Sequence, residues 1–174
     1  MQPINSEYWS KLIDKFKIFS IYTIAIFCIS AGVTHFKNYD FFEAIVPPVL
    51  VFKSEIVYVS GVIEIVLGLL LCSKKTRHQA AWGIVFLLII IFPANLYLCF
   101  YDVPKEALGI SNNQAFIRLT FQIPLFIIAY WHSLDKTSKR FSILCTFFIY
   151  SYNNIFFKYL TYSSFSYEDK SKRI

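Results

Sequence analysis

Apolar residues in this chain run in four long blocks, parted by polar, turn-forming stretches. The blocks cover residues 18–36, 56–72, 79–100 and 115–134. Each approaches the roughly 20 apolar residues that carry a helix across a hydrocarbon core about 30 Å thick. The second is slightly short and can borrow Glu55 or Ser73. The pattern predicts an all-α, integral membrane four-helix up-down bundle over residues 18–135. A polar, partly amphipathic arm (1–17) precedes it and an aromatic-rich tail (136–174) follows. The stretch 73–78 is short, so the second and third blocks read as an antiparallel hairpin.

The linkers carry their own signals. "KNYDFFEAIVPPVLVFKSE", after the first block, is apolar for a loop, and Pro47-Pro48 prevents a continuous helix through it. Phe41, Phe42, Ile45 and Val46 suggest a short piece lying at the membrane surface; a re-entrant loop would need protein to cover its backbone. The stretch 101–114 holds Asp102, Pro104, Gly109, Ser111 and Asn112-Asn113, all turn chemistry. In the tail, "FSILCTFFIYSYNNIFFKYLTYSSF" is broken by Asn153-Asn154 and Lys158. An interfacial helix is expected there rather than a fifth span, which would put Lys170, Lys172 and Arg173 on the wrong side for their charge.

Composition agrees with the pattern: 56% of residues are hydrophobic, against about 45–50% in soluble domains. The net charge of +6 would raise nucleic acid as a partner in a soluble chain. Here the charge follows the linkers. Lys11, Lys15 and Lys17, then Lys74, Lys75 and Arg77, then Lys136, Lys139 and Arg140 fall at one end of the spans. The other end has only Lys37, Lys53 and Lys105. Basic residues favour the cytoplasmic side, so the expectation is a bacterial-type plasma-membrane protein with both termini cytoplasmic and no nucleic-acid partner. The first block follows lysines as a secretory signal would, but it is long and no small-x-small cleavage site follows; it reads as a retained helix. Cys28, Cys72, Cys99 and Cys145 form no CxxC, so neither a disulfide framework nor a zinc site is expected.

The spans are not wholly apolar. Glu64 sits inside "VSGVIEIVLGLLLC". A central charge costs about 2.5–3.5 kcal/mol on insertion scales, and each neighbouring Ile, Val or Leu returns about 0.3–0.6 kcal/mol. The helix therefore still inserts, but with Glu64 facing protein rather than lipid. Gly61, Glu64 and Gly68 share one side of that helix, and Gly32 lies in the first span; small residues admit a close neighbour. By depth, His35, Glu64, Asn95, Arg118 and Gln122 converge on one level from four helices. Two readings stay open. In one, Glu64–Arg118 is a structural ion pair, His35 is an interfacial histidine, and Asn95 and Gln122 bond backbone loosened by Pro93 and Pro124. In the other, the set forms a small polar pocket opening outward. His35 lies towards one face and His78 and His132 towards the other, which argues against a bis-histidine haem. No glycine-rich nucleotide loop or nucleophile triad occurs, and no catalytic constellation is found.

The ordered pieces "GVTHF", "IVPP", "YVSGVIEIVLGLLL", "FPANLYL" and "IRLTFQIPLFIIAYW" resemble the DoxX-like family of small membrane proteins over about residues 31–131. The resemblance implies a four-helix membrane bundle and a link to quinone-linked redox complexes. It marks Gly32, His35, Gly61, Glu64, Pro93, Asn95, Arg118 and Gln122 as family positions without assigning them a catalytic role. The expected function is thus a non-haem accessory subunit of such a complex, with no cofactor of its own, quinone as ligand, and a redox subunit or a second copy as partner. The alternative is an interaction or assembly protein whose buried polar network only sets packing. A small transporter is disfavoured, because four spans without a repeat leave little room for alternating access.

Overall fold

The computed structural model describes residues 6–134, 137–138 and 140–148. In chain order it holds α1 (Ser6–Lys37), α2 (Tyr39–Ile45), α3 (Lys53–Cys72), α4 (Arg77–Phe100), α5 (Asp102–Leu108) and α6 (Asn112–Ser133). Four stretches are long and apolar enough to cross a membrane: Lys11–Lys37, Lys53–Cys72, Arg77–Phe100 and Asn112–Ser133. The shortest has 20 residues, a rise of ~30 Å.

α1 is longer than its apolar block. Neither glycine nor proline occurs between Ser6 and Gly32, so nothing interrupts the helix and most of the polar arm continues into the span. Large apolar side chains point outward on every span: Ile26 on α1, Val59 on α3, Phe86 and Ile90 on α4, and Ile123 on α6 are all more than half exposed. In water this would be a defect; in lipid it is the solvent-facing surface.

Neighbouring spans run antiparallel. Ser20, just before the middle of α1, meets His132 at the end of α6, and His35, late in α1, meets Val57 near the start of α3. α1 lies chiefly against α3, and α4 against α6, with the α3–α4 hairpin joining the pairs. The buried face of α3 is the stripe Val57, Gly61, Glu64, Gly68, Leu71, a three-and-four spacing that keeps one side of a helix towards its neighbour. The glycines set the distance. A Cβ on Gly32 would lie 2.5 Å from the Gly61 carbonyl oxygen, and one on Gly68 would lie 2.9 Å from the Ala25 carbonyl oxygen. Lipid supplies no hydrophobic drive between spans, so this close backbone contact is what holds α1 to α3.

The apolar core has two parts. One, towards the start of α1, joins Ile21, Ile24, Leu71, Ala81, Ile84 and Trp131. The smaller, at the opposite end, joins Ile45, Leu98 and Ala115 with Phe41, Phe42 and Leu108. Along α4 and α6 the polar residues Asn95, Arg118 and Gln122 lie between the two parts in sequence. α2 forms part of the smaller cluster and is anchored by Tyr39, whose hydroxyl donates to Glu43 Oε1 (2.8 Å) and lies 2.6 Å from Ser54 Oγ at the start of α3. Past Pro47-Pro48, Val49, Val51 and Phe52 are strongly exposed, as suits a loop touching the membrane surface.

The stretch 101–114, expected to hold only turns, contains α5. Pro104 sits in its first turn, where an amide hydrogen has no intrahelical partner to lose. Gly109 then ends the helix in the left-handed region (φ 61°, ψ 28°). Ser111 starts α6 with a reciprocal cap: Gln114 N donates to Ser111 Oγ (3.3 Å) and Ser111 N to Gln114 Oε1 (2.8 Å). Residues 140–148 are helical, and Phe141 and Cys145 lie against the larger core. The rest of the segment expected to be interfacial, from residue 149 on, lies outside the described residues.

Candidate functional site: a polar cluster inside the spans

The α1–α3 glycine contact places His35. A Cβ on Gly61 would lie 2.8 Å from His35 Cβ, so the imidazole emerges where α3 comes closest. Its Nδ1 is 3.0 Å from the Val57 carbonyl oxygen and 3.1 Å from Ser60 Oγ. A carbonyl only accepts, so Nδ1 carries a hydrogen. The other nitrogen, Nε2, lies 3.6 Å from Glu64 Oε2. One more proton, on either Nε2 or the carboxyl group, decides whether this pair is neutral or an imidazolium–carboxylate pair. Glu64 Oε2 is buried and has no hydrogen-bond partner among the described residues, an arrangement that is costly without compensation.

The second half of the cluster is a directed chain. Arg118 Nε donates to Asn95 Oδ1 (3.2 Å), Asn95 Nδ2 donates to Gln122 Oε1 (3.0 Å), and Gln122 Nε2 donates to the Leu88 carbonyl oxygen. The ends fix the direction. A guanidinium can only donate and a backbone carbonyl can only accept, so both amides must turn the same way. The chain ties α6 to α4 on both sides of Pro93, at Leu88 and at Asn95. Two more N–H groups on each terminal guanidinium nitrogen remain for other partners.

Phe42 joins the halves. Its ring stacks on His35 with centroids 3.7 Å apart and planes at 29°. The Arg118 guanidinium carbon lies 5.6 Å from the Phe42 centroid and 4.9 Å from that of Phe41, within cation–π range. The direct Glu64–Arg118 ion pair considered on sequence grounds is not formed. Glu64 takes His35 as its partner, while Arg118 is held by Asn95 and by the rings that α2 contributes. The two charges still act on each other at longer range. All five polar residues singled out from the sequence therefore lie in one region, as a pair and a chain bridged by an aromatic ring.

The structure adds two contributors to the cluster, and one buried cation away from it. The Phe41-Phe42 dipeptide was assigned to the surface, yet its rings cover the cluster. Ser60, one turn before Glu64 on α3, supports His35. Lys105 on α5 is only 8% exposed; its Nζ donates to Asn112 Oδ1 (2.6 Å) and lies 2.9 Å from Asp102 Oδ1. The Asp–x–x–Lys spacing was the available signal for Lys105. Gln122 has a second setting. With Leu88, Ile89, Phe92, Ile123, Phe126 and Ile127 it lines an apolar groove of about 270 Å³ between α4 and α6. Among the described residues, no three His, Cys, Asp or Glu side chains gather as a metal site.

A family model described as Domain of unknown function (DUF8561) matches residues 24–133. The chain is a member of the DUF8561 family. The matched region runs from the middle of α1 to the end of α6. It includes His35, Glu64, Asn95, Arg118, Gln122 and the three glycines at the α1–α3 contact. The DUF8561 region thus coincides with the bundle and its polar cluster, and leaves out the first turns of α1 and residues 140–148. No curated protein and no solved structure matches the chain.

Proposed function

We propose that this DUF8561 protein is a DoxX-like membrane subunit of a quinone-linked redox assembly, binding an amphiphilic ligand of the quinone type at the polar cluster. It sits in a bacterial-type plasma membrane with both termini cytoplasmic. The observation that carries the reading is the double setting of Gln122. One side chain closes the Arg118–Asn95–Gln122 chain and also lines the apolar groove between α4 and α6. A ligand with a carbonyl-bearing head and a hydrocarbon tail suits that junction. Its tail would lie in the groove among Phe92, Ile123 and Phe126. Its head oxygens would be met by the free N–H groups of Arg118 and the amide of Asn95. His35 and Glu64 would exchange protons with the head, since reduction of a quinone to a quinol takes up two protons and two electrons. The electrons would come from a redox partner subunit.

The test is binding to the purified protein in phosphatidylcholine nanodiscs, probed with a short-chain benzoquinone. Wild type should bind it, and Arg118→Gln should weaken binding about tenfold or more while helix content is kept. Wild type that fails to bind, or an Arg118→Gln protein that binds equally well, defeats the reading.

A second reading has its own support. Every link of the Arg118-to-Leu88 chain is made without a ligand, as in a structural network. In that case the protein is a membrane assembly factor. Asn95→Leu should then lower thermal stability, and no quinone should bind to any variant.

A further inference from the structure

The bundle has a second site at its opposite end, independent of the quinone reading. A cavity of about 500 Å³ opens between the early turns of α1, the α3–α4 turn and the end of α6. Its lining includes Lys17 from α1, Lys74 from the turn, Arg77 and His78 from the first turn of α4, and His132 from α6. Among the described residues, one carboxylate, Asp14, faces this set. Three permanent cations against one anion leave the lining positive even with both histidines neutral. Cavities of this size hold small-molecule groups.

The site is built rather than a random basic surface. His132 is 5% exposed; its Nε2 lies 2.9 Å from Ser20 Oγ, and its Nδ1 is buried with no hydrogen-bond partner among the described residues. Lys17 is held with its ammonium group 5.6 Å from the Trp131 centroid. Arg77 Nε donates to the Leu71 carbonyl oxygen at 3.2 Å, which fixes the guanidinium beside the last turn of α3. The α4 helix, with 24 residues, directs the positive end of its dipole to the same place. Depth identifies the ligand class. α3 ends at Cys72, α6 ends at Ser133 and α4 begins at Arg77. The cavity therefore lies where spans leave the hydrocarbon, at the level of lipid phosphates. Basic pockets between spans at that depth suit anionic headgroups.

We infer that the cavity lined by Lys17, Lys74, Arg77, His78 and His132 binds a phosphate-bearing anion, either the headgroup of an anionic phospholipid or a soluble phosphate compound. The cations neutralise the phosphate and the α4 N-terminus orients it.

The experiment uses the full chain. In the lipid arm, protein in mild detergent with equal phosphatidylcholine and phosphatidylglycerol is analysed by native mass spectrometry. Wild type should retain phosphatidylglycerol about tenfold or more over phosphatidylcholine. Lys17→Gln/Lys74→Gln should weaken that retention roughly 30-fold, at about 1 kcal/mol per removed cation. Lys53→Gln, at the other end of the bundle, should leave it unchanged. In the soluble arm, inorganic phosphate is titrated against protein in phosphatidylcholine nanodiscs and thermal stability is read. Retention of phosphatidylglycerol that phosphate does not displace assigns the site to a lipid. Stabilisation by phosphate, with loss of phosphatidylglycerol, assigns it to a soluble compound. If the double variant does not fold, wild-type retention over rising salt decides, because ionic binding must fall with ionic strength. No preference for phosphatidylglycerol together with no response to phosphate overturns the inference. So does retention that ignores salt, or that persists undiminished in a folded double variant.

Discussion

At Gly32 an added methyl group would lie 2.5 Å from the Gly61 carbonyl oxygen and 2.7 Å from Ile65. Backbone cannot move aside there without separating α1 from α3. Gly83 makes the contrast: its added methyl would meet only the tip of Leu67, at 2.5 Å from Cδ2, and that side chain can change rotamer. Gly32→Ala and Gly61→Ala should therefore cost about 1–3 kcal/mol, as overpacking does, and should displace His35 as well. Gly83→Ala should be close to neutral. Thermal unfolding of the three variants in one detergent checks this, and equal losses at Gly83 and Gly32 would contradict it. At this scale much was legible. Gly32, Gly61 and Gly68 stood out because small residues on the same side as an intramembrane acid indicate a packed face. The partner of Glu64 did not. Reach and depth allowed Arg118, whereas the contact at Gly61 delivers His35 first.

Among the elements, the two short helices gain most from the tertiary structure. α5 has seven residues, too few to be stable alone, and is tied down by a buried lysine. Asp102 is 79% exposed on its side chain, so its pairing with Lys105 is worth little. The Lys105 bond to Asn112 and its contact with the Cys99 carbonyl oxygen (3.5 Å) join α5 to both long helices beside it. Lys105→Met keeps the volume but removes those bonds. It should cost about 1–3 kcal/mol and make 101–111 the first site of proteolysis, while Asp102→Asn should do neither. Limited proteolysis followed by mass spectrometry separates the two. The turn residues of 101–114 put the fourth span's start at residue 115; α6 begins three residues earlier, at Asn112, where Ser111 and Gln114 cap it. The same turn residues hid α5, because Asp and Pro suit both a turn and a first helical turn. α2 was likewise visible as an amphiphilic piece, but its seat over His35 and Arg118 depends on where α1 and α6 put those side chains.

Across the whole molecule, the cysteines provide a test of orientation. Cys72 is exposed at the hairpin end of α3, whereas Cys28 and Cys145 are buried. Burial also pushes the Cys145 thiol up to about 11, so near neutral pH it stays protonated and slow to alkylate. On the proposed topology, with both termini cytoplasmic, a membrane-impermeant maleimide should label Cys72 only after cells are opened, and should leave Cys145 unlabelled until the protein is denatured. Labelling of Cys72 on intact cells would invert the topology. Hydropathy alone determined the number of spans, their alternation and the burial of the intramembrane polar groups, because lipid penalises every exposed polar atom wherever the chain goes next. The tertiary structure alone decided which of those groups became partners, that Phe42 stands between the acid–histidine pair and the arginine chain, and that distant basic residues enclose one cavity. Those outcomes depend on helix rotation and separation to within an ångström or two, set by glycine contacts and short helices that act across the fold rather than along the chain.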